Sequence, residues 1–181
     1  MAVLNPAVLR RAIAALITTV PGAGTRVHTQ RRIVRDEQAM KRHLFDASLN
    51  KICGWMVSPA PSATAVPDVR PGYVGHGVKG GGNVLTAFQF QIEAFHVLDD
   101  VNDSEQVFGD LVWAVADEFN AYGSIPAAAA DGGGSLAVTF GLDRQLPCAI
   151  DSFGYIMFAG SFLLHYARLD LGFIGRTRPN P

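Results

Sequence analysis

Charge is scarce in this 181-residue chain, and so are cysteine and long apolar runs. Charged residues make up 17% of the sequence against 49% hydrophobic, which excludes a disordered chain and a charged wrapper of nucleic acid. The low charge instead suggests a surface partly hidden by neighbours. The two cysteines, Cys53 and Cys148, stand apart among apolar residues; they offer no metal-type spacing and read as buried free thiols. No window reaches the roughly 18 consecutive apolar residues of a membrane span. Arg10 and Arg11 interrupt the first apolar run before it can serve as the core of a secretory signal. The expectation is a soluble protein, intracellular when made, whose length fits one domain with a sizeable core.

Motifs for common chemistries are missing too. Lys79 lies in a glycine-rich run, 75–82, but it is followed by Gly80 and a strand pattern. A phosphate loop requires Ser or Thr there, and a helix N-terminus beyond it. Asp99, Asp100 and Asp103 begin like a calcium loop without its glycine and closing glutamate, so a turn and helix cap is the better reading. His96 and His165 could meet if their strands pair, yet no matched His or Cys spacing supports a metal, and ring nitrogens bonded to backbone or water are expected. Gly160-Ser161 lacks the Gly-x-Ser-x-Gly pattern of a nucleophile elbow, and Ser152 and Ser161 have no base visible in sequence. Neither cofactor nor metal nor enzymatic activity is expected.

What is present is organised around residues 83–122. Phe88, Phe90, Ile92 and Ala94 alternate with Gln89, Gln91 and Glu93, the period of a strand with one buried face. Asp103 or Ser104 can then cap a helix whose stripe is Val107, Phe108, Leu111, Val112, Val115, Ala116 and Phe119, with Asp110, Asp117 and Glu118 facing away. A strand followed by a helix folding back on it gives an α+β layer. Before it, Asn5-Pro6 starts a helix buried through Leu9, Ile13, Leu16, Ile17 and Val20, which Pro21-Gly22 ends. A short strand is expected over 25–29 and a second helix over 36–49, spaced by Met40, Leu44, Phe45 and Leu49. A strand over 51–58 puts Cys53, Trp55 and Val57 on one face and Ile52 and Met56 on the other. Residues 59–83 and 123–134 read as long loops, 136–140 as a strand of unclear pairing, and 162–173 as a strand antiparallel to the one over 85–98. The tail, 175–181, is expected to be extended.

The few charges are unevenly distributed. Residues 1–60 hold nine Lys or Arg against three Asp or Glu, whereas 80–142 hold nine acidic residues and no basic one. On different faces, such segments would suit head-to-tail association of identical copies. The basic residues Arg26, Arg31, Arg32, Arg35, Lys41 and Arg42 are interrupted by Asp36 and Glu37 and come with no nucleic-acid motif, so contact with phosphates would be non-specific.

An opening helix, Arg26-Val-His28 with Arg31 and Arg32, a helix of the MKRHLFD type, Ile52-Cys-Gly-Trp55, a glycine-rich loop, the strand to Leu98, an acidic helix and a closing strand with Leu164-His-Tyr166 follow in order. In this order the chain resembles the tail terminator (tail completion) family of long-tailed bacteriophages. The resemblance implies a single α+β domain, a twisted and mainly antiparallel sheet with helices on one face and long Gly/Pro-rich loops. It implies a structural virion protein, made in the host cytoplasm, that closes as a six-fold ring at the tail end or neck, ends tube polymerisation and joins the tail to the head. Its partners would be itself, the tail tube protein and the head–tail connector, with passing DNA touched non-specifically and no membrane. Arg26, Arg31, Arg32, Arg35 and Arg42 would then serve a subunit contact or the DNA channel, with Asp110, Asp117 and Glu118 as acidic counterpart. Tyr73, His76 and Lys79 would lie in a partner-contact loop. The alternatives are a head–tail stopper or adaptor and a small-ligand-binding or hydrolytic α+β domain.

Overall fold

A computed structural model describes residues 6–60, 74–77, 84–99, 103–121, 125–126, 138–140, 148–158 and 162–177. The chain runs α1 (Pro6–Thr19), β1 (Val27–His28), α2 (Glu37–Leu44), β2 (Phe45–Asp46), β3 (Lys51–Pro59), β4 (Val74–Gly77), β5 (Val84–Val97), α3 (Ser104–Ala121), β6 (Val138–Phe140), β7 (Cys148–Phe158) and β8 (Phe162–Thr177). It is a mixed α+β domain with a mostly antiparallel sheet.

Two long strands form the centre. β5 and β8 pair antiparallel through fourteen residue pairs, from Val84 opposite Thr177 to Val97 opposite Leu164. On the free side of β5 lie β3, opposite residues 90–96, and β4, opposite 84–87. On the free side of β8 lie β7, opposite 162–171, and β6, opposite 173–175. Each flank is therefore one line of strand interrupted by a connection. β1 adds a parallel edge to β3, so β1 stands at one end of the strand order and β6 and β7 at the other.

The period-two pattern of the sequence fixes the faces. Cys53, Trp55, Val57, Phe88, Phe90, Ile92, Ala94, Ala167, Leu169 and Leu171 share one face and form the main core with α1 and α3. Leu9, Ile13 and Ile17 of α1 are fully buried there, as are Val112, Val115 and Phe119 of α3. Side chains of this size each stabilise by roughly 1.5–3 kcal/mol when fully buried. Trp55 satisfies its indole by donating Nε1–H to the Ala23 carbonyl at 2.9 Å. Both cysteines are free and buried, and burial pushes Cys53 up to about 11 and Cys148 to about 12, leaving them inert thiols.

The structure corrects several expectations. The helices divide between the faces: α1 and α3 take one, and α2 takes the other, where Met40 and Leu44 pack with Met56, Phe95 and Leu164. The helix expected over 36–49 starts as foreseen, with Asp36 accepting from the Ala39 N–H at 2.7 Å, but ends at Leu44. Phe45 and Asp46 instead form a tight hairpin with Ile52 and Lys51, and Asn50 takes the left-handed conformation (φ 52°) that an asparagine tolerates. β3 runs to Pro59 and β4 lies within the expected 59–83 loop, and Ile125 is buried within the expected 123–134 loop; apart from Ala60 and Pro126, the rest of both falls outside the described residues. β8 extends beyond residue 173 to Thr177. β7 was not legible. Its alternation is broken by a bulge between Ile150 and Ser152, after which Phe153, Tyr155 and Met157 continue the face begun by Cys148 and Ile150.

One buried carboxylate holds the α1-to-β3 half together. Asp46 is fully buried and accepts from the Thr25 N–H and hydroxyl, the Arg26 N–H at 3.1 Å, the Ser48 N–H at 2.8 Å and hydroxyl, and the Leu49 N–H at 3.1 Å. Burial alone would raise its pKa. The bonds from Ser48, Thr25 and Leu49 outweigh that and hold the carboxyl well below the usual carboxylate range. Gly24 (φ 73°) must be glycine, since a Cβ there would sit 2.7 Å from Asp46 Oδ2.

Three substitutions test this packing. Asp46→Ala should lose about 3 kcal/mol in urea denaturation at pH 7, because several buried donors lose a charged acceptor. A depressed folded pKa means that the Asp46 contribution is complete above its unfolded value, about 4, and fades as pH falls below it, so Asp46→Asn should flatten the acid limb of the stability profile. Gly54→Ala should cost about 1–3 kcal/mol by the same measurement, since the new Cβ would meet Leu44 Cδ2 at 2.7 Å and its Cα at 3.1 Å where α2 crosses β3.

Candidate interaction surface

The β5–β8 register brings His96 opposite His165, their rings 6.3 Å apart at the centroids. Phe108 of α3 stacks on both, at 5.7 and 5.5 Å, and Tyr155 of β7 lies 5.1 Å from His165. His96 Nδ1 donates to the Val97 carbonyl at 2.9 Å, the backbone bond expected of a strand histidine. Its buried Nε2 has no hydrogen-bond partner among the described residues, and burial, with the charge of Lys51, lowers its pKa to about 4. No group of three His, Cys, Asp or Glu able to hold a metal occurs among the described residues.

Ser104 opens α3 and does more than cap it. Its Oγ accepts from the Asp99 N–H at 2.8 Å and lies 2.8 Å from His165 Nε2. This Ser–His pair spans 61 residues of sequence, so no local signal could have shown it. At 5% and 1% exposure, the two side chains present almost no surface to an incoming substrate; as found, they tie the start of α3 to β8. The preceding Asp103 takes φ 48° and accepts the Val107 N–H at 3.1 Å, giving the helix its first turn.

Outward from this seam lies an exposed apolar strip. Trp113 is 62% exposed, Met157 64%, Tyr155 51% and Phe153 44%. The bulge puts the three β7 side chains on the face α3 covers; Phe153 stacks on Phe108 at 5.4 Å between centroids, yet all three remain largely exposed. Val107, expected in that stripe, is half exposed on the same helix. Between α3 and β7 an open cleft of about 750 Å³ is lined by Trp113 and Phe153 together with Asp103, Glu105, Gln106, Gly109 and Asp110. Tyr155 donates its hydroxyl to Glu105 Oε2 at 2.7 Å, and Gln106 donates to Asp110 Oδ1 at 2.7 Å. An apolar floor with a carboxylate rim suits a partner that presents an apolar anchor flanked by cations.

The basic residues lie away from this cleft. Arg26 donates Nε–H to the Phe45 carbonyl at 2.8 Å, and Arg31 pairs at 3.1 Å with Glu93, whose side chain is 4% exposed. Tyr166 also donates to Glu93, at 3.2 Å; burial, then that carboxylate, push the phenol up to about 12. Arg32 donates its backbone N–H to Met56 Sδ, and Arg32, Arg35 and Arg42 are exposed. Met56 and Glu93 belong to the α2 face, whereas Asp110, Asp117 and Glu118 ride on α3 over the other. The two charged segments therefore sit on opposite faces, although α1 adds Arg10 and Arg11 to the α3 side. Of the expected partner-contact residues, Tyr73 and Lys79 lie outside the described residues, and His76 is placed by its backbone in β4 opposite Leu85.

No protein-family model matches the chain, and no curated protein matches it. No helix among the described residues is long and apolar enough to cross a membrane.

The histidine seam makes a titration prediction. Because His96 is depressed in the folded chain, the unfolded chain binds a proton that the folded one refuses as pH falls from about 6.5 towards 4. Stability should therefore drop by roughly 1–2 kcal/mol between pH 7 and pH 5 through this group. In paired urea titrations, His96→Gln should show a smaller drop than the unsubstituted chain.

Proposed function

We propose that this protein is a structural component of a phage virion, a tail-terminator-like subunit that closes as a ring on the tail tube, ends its polymerisation and joins it to the head connector. The observation that carries the reading is the placement of the basic 26–42 segment and the acidic α3 on opposite faces of one sheet. Copies so charged associate head to tail, and a head-to-tail contact closes as a ring or runs on as a filament. The order of elements supports the same reading, and so does the exposed apolar strip, which a subunit of an assembly would cover. Each copy would offer the tube one stacking face and present a different one outward, so that further tube rings are excluded by shape and charge. Arg31 and Arg32 serve the subunit contact in this scheme, and the 59–83 segment meets the connector.

Electron microscopy of particles assembled without this protein tests the proposal. Filled heads beside overlong, unjoined tails are the expected result. Heads that leak DNA beside tails of normal length would reassign it to the neck stoppers, and normal infectious particles would overturn the structural reading. Reversing Arg31 and Arg32 to Glu should weaken the subunit contact by about 2 kcal/mol, roughly thirtyfold, seen as loss of rings in negative stain.

A further inference from the structure

The strip on α3 and β7 has three properties that together specify an occupant. It is apolar at its centre, with Trp113 and Phe153 both open to solvent across one cleft. Its rim is acidic, with Asp103, Glu105 and Asp110 on the cleft wall and, among the described residues, no lysine or arginine lining it. It borders a sheet edge, because among the described residues β7 pairs with β8 alone. An open edge beside an apolar surface is a liability that proteins cover.

The same chain carries a complementary element. Ile33 is 70% exposed, the most exposed of the large hydrophobic side chains on the described surface, and Arg31, Arg32 and Arg35 surround it. Arg31 is anchored to Glu93 and the Arg32 backbone to Met56, so the segment lies across the sheet with Ile33 turned to solvent. Arg32 and Arg35 have no ion-pair partner among the described residues. This segment follows β1, at the end of the strand order opposite to β7.

We infer that the Trp113–Phe153 cleft is a docking site for a second copy of this chain, which inserts its 31–35 segment with Ile33 on the apolar floor and Arg32 and Arg35 on the acidic rim. A two-fold dimer through the cleft would set three carboxylates against three, so the cleft pairs with the basic segment rather than with itself. Because donor and acceptor lie on opposite faces of the sheet, each copy has one of each to offer, and the contact propagates in one direction. The inference rests on the ring reading for its biological setting and names the contact that would close the ring.

Native mass spectrometry and sedimentation of the purified full chain test it. The unsubstituted protein should assemble beyond a dimer. Glu105→Lys with Asp110→Lys, and separately Arg32→Glu with Arg35→Glu, should each weaken association at least about a hundredfold. Trp113→Ala should weaken it at least about tenfold. All these positions are exposed, and unchanged melting curves would establish that the variants remain folded. Mixing the two charge-reversed proteins should restore assembly, because each then supplies the surface that the other accepts. Assembly unaffected by both reversals would overturn this contact while leaving the ring reading intact. A dimer as the largest species, or a monomer at the highest soluble concentration, would overturn the self-docking cleft. The particle phenotype would still decide the ring reading independently.

Discussion

The pairing of β5 with β8 is the constraint on which the rest of the structure depends. Both strands are paired on their two sides along much of their length, so a slip of one residue would turn every core side chain of Phe88 to Ala94 and Ala167 to Leu171 towards the opposite face. The same register places His96 against His165, which sets where Phe108 can stack and where Ser104 can bond. The start of α3 is thus positioned by the sheet rather than by its own cap alone. Everything presented on the outer side of α3 inherits that placement.

Within this frame the polar interior is handled in two ways. Asp46 is a buried charge surrounded by donors from two separate turns, and it joins the segment after α1 to the hairpin before β3. Glu93 is a buried charge held by Arg31 and Tyr166, and it fastens the basic segment onto the α2 face. Both cost desolvation energy that hydrogen bonds and ion pairing offset. Both fix backbone that has little regular structure of its own, which is how an irregular segment such as 29–35 can hold a defined course.

The exposed strip follows from a local irregularity. Without the bulge at Asp151, Ser152, Gly154 and Ile156 would stand where Phe153, Tyr155 and Met157 now stand, and the α3 side of the edge would carry fewer aromatic groups. Asp151 itself is turned to pair with Arg168. A single extra residue in β7 therefore replaces Ser152, Gly154 and Ile156 on that margin by the larger Phe153, Tyr155 and Met157, beside an acidic helix. Among the described residues nothing covers that surface, and a contiguous exposed apolar patch of this kind is a common place for a partner to bind.

The sequence by itself determined α1, α3, β3, β5 and most of β8, because each carries its period over enough residues to be unambiguous and is bounded by Pro, Gly or a capping residue. It determined the antiparallel partnership of β5 and β8, the buried state of both cysteines and the separation of charge along the chain. Where α2 stops, where β4 lies and that β7 exists were decided only by tertiary structure. Leu44 ends its helix because Asp46 is drawn into contacts 20 residues upstream, and β7 hides its alternation behind a bulge that makes sense only against β8. Of the candidate surface, the outward-facing acidic residue Asp110 was legible in the sequence, and the exposed aromatic residues were not. Periodicity reports which side chains share a face, whereas exposure depends on how far the covering helix reaches, and that is set by packing across the whole sheet.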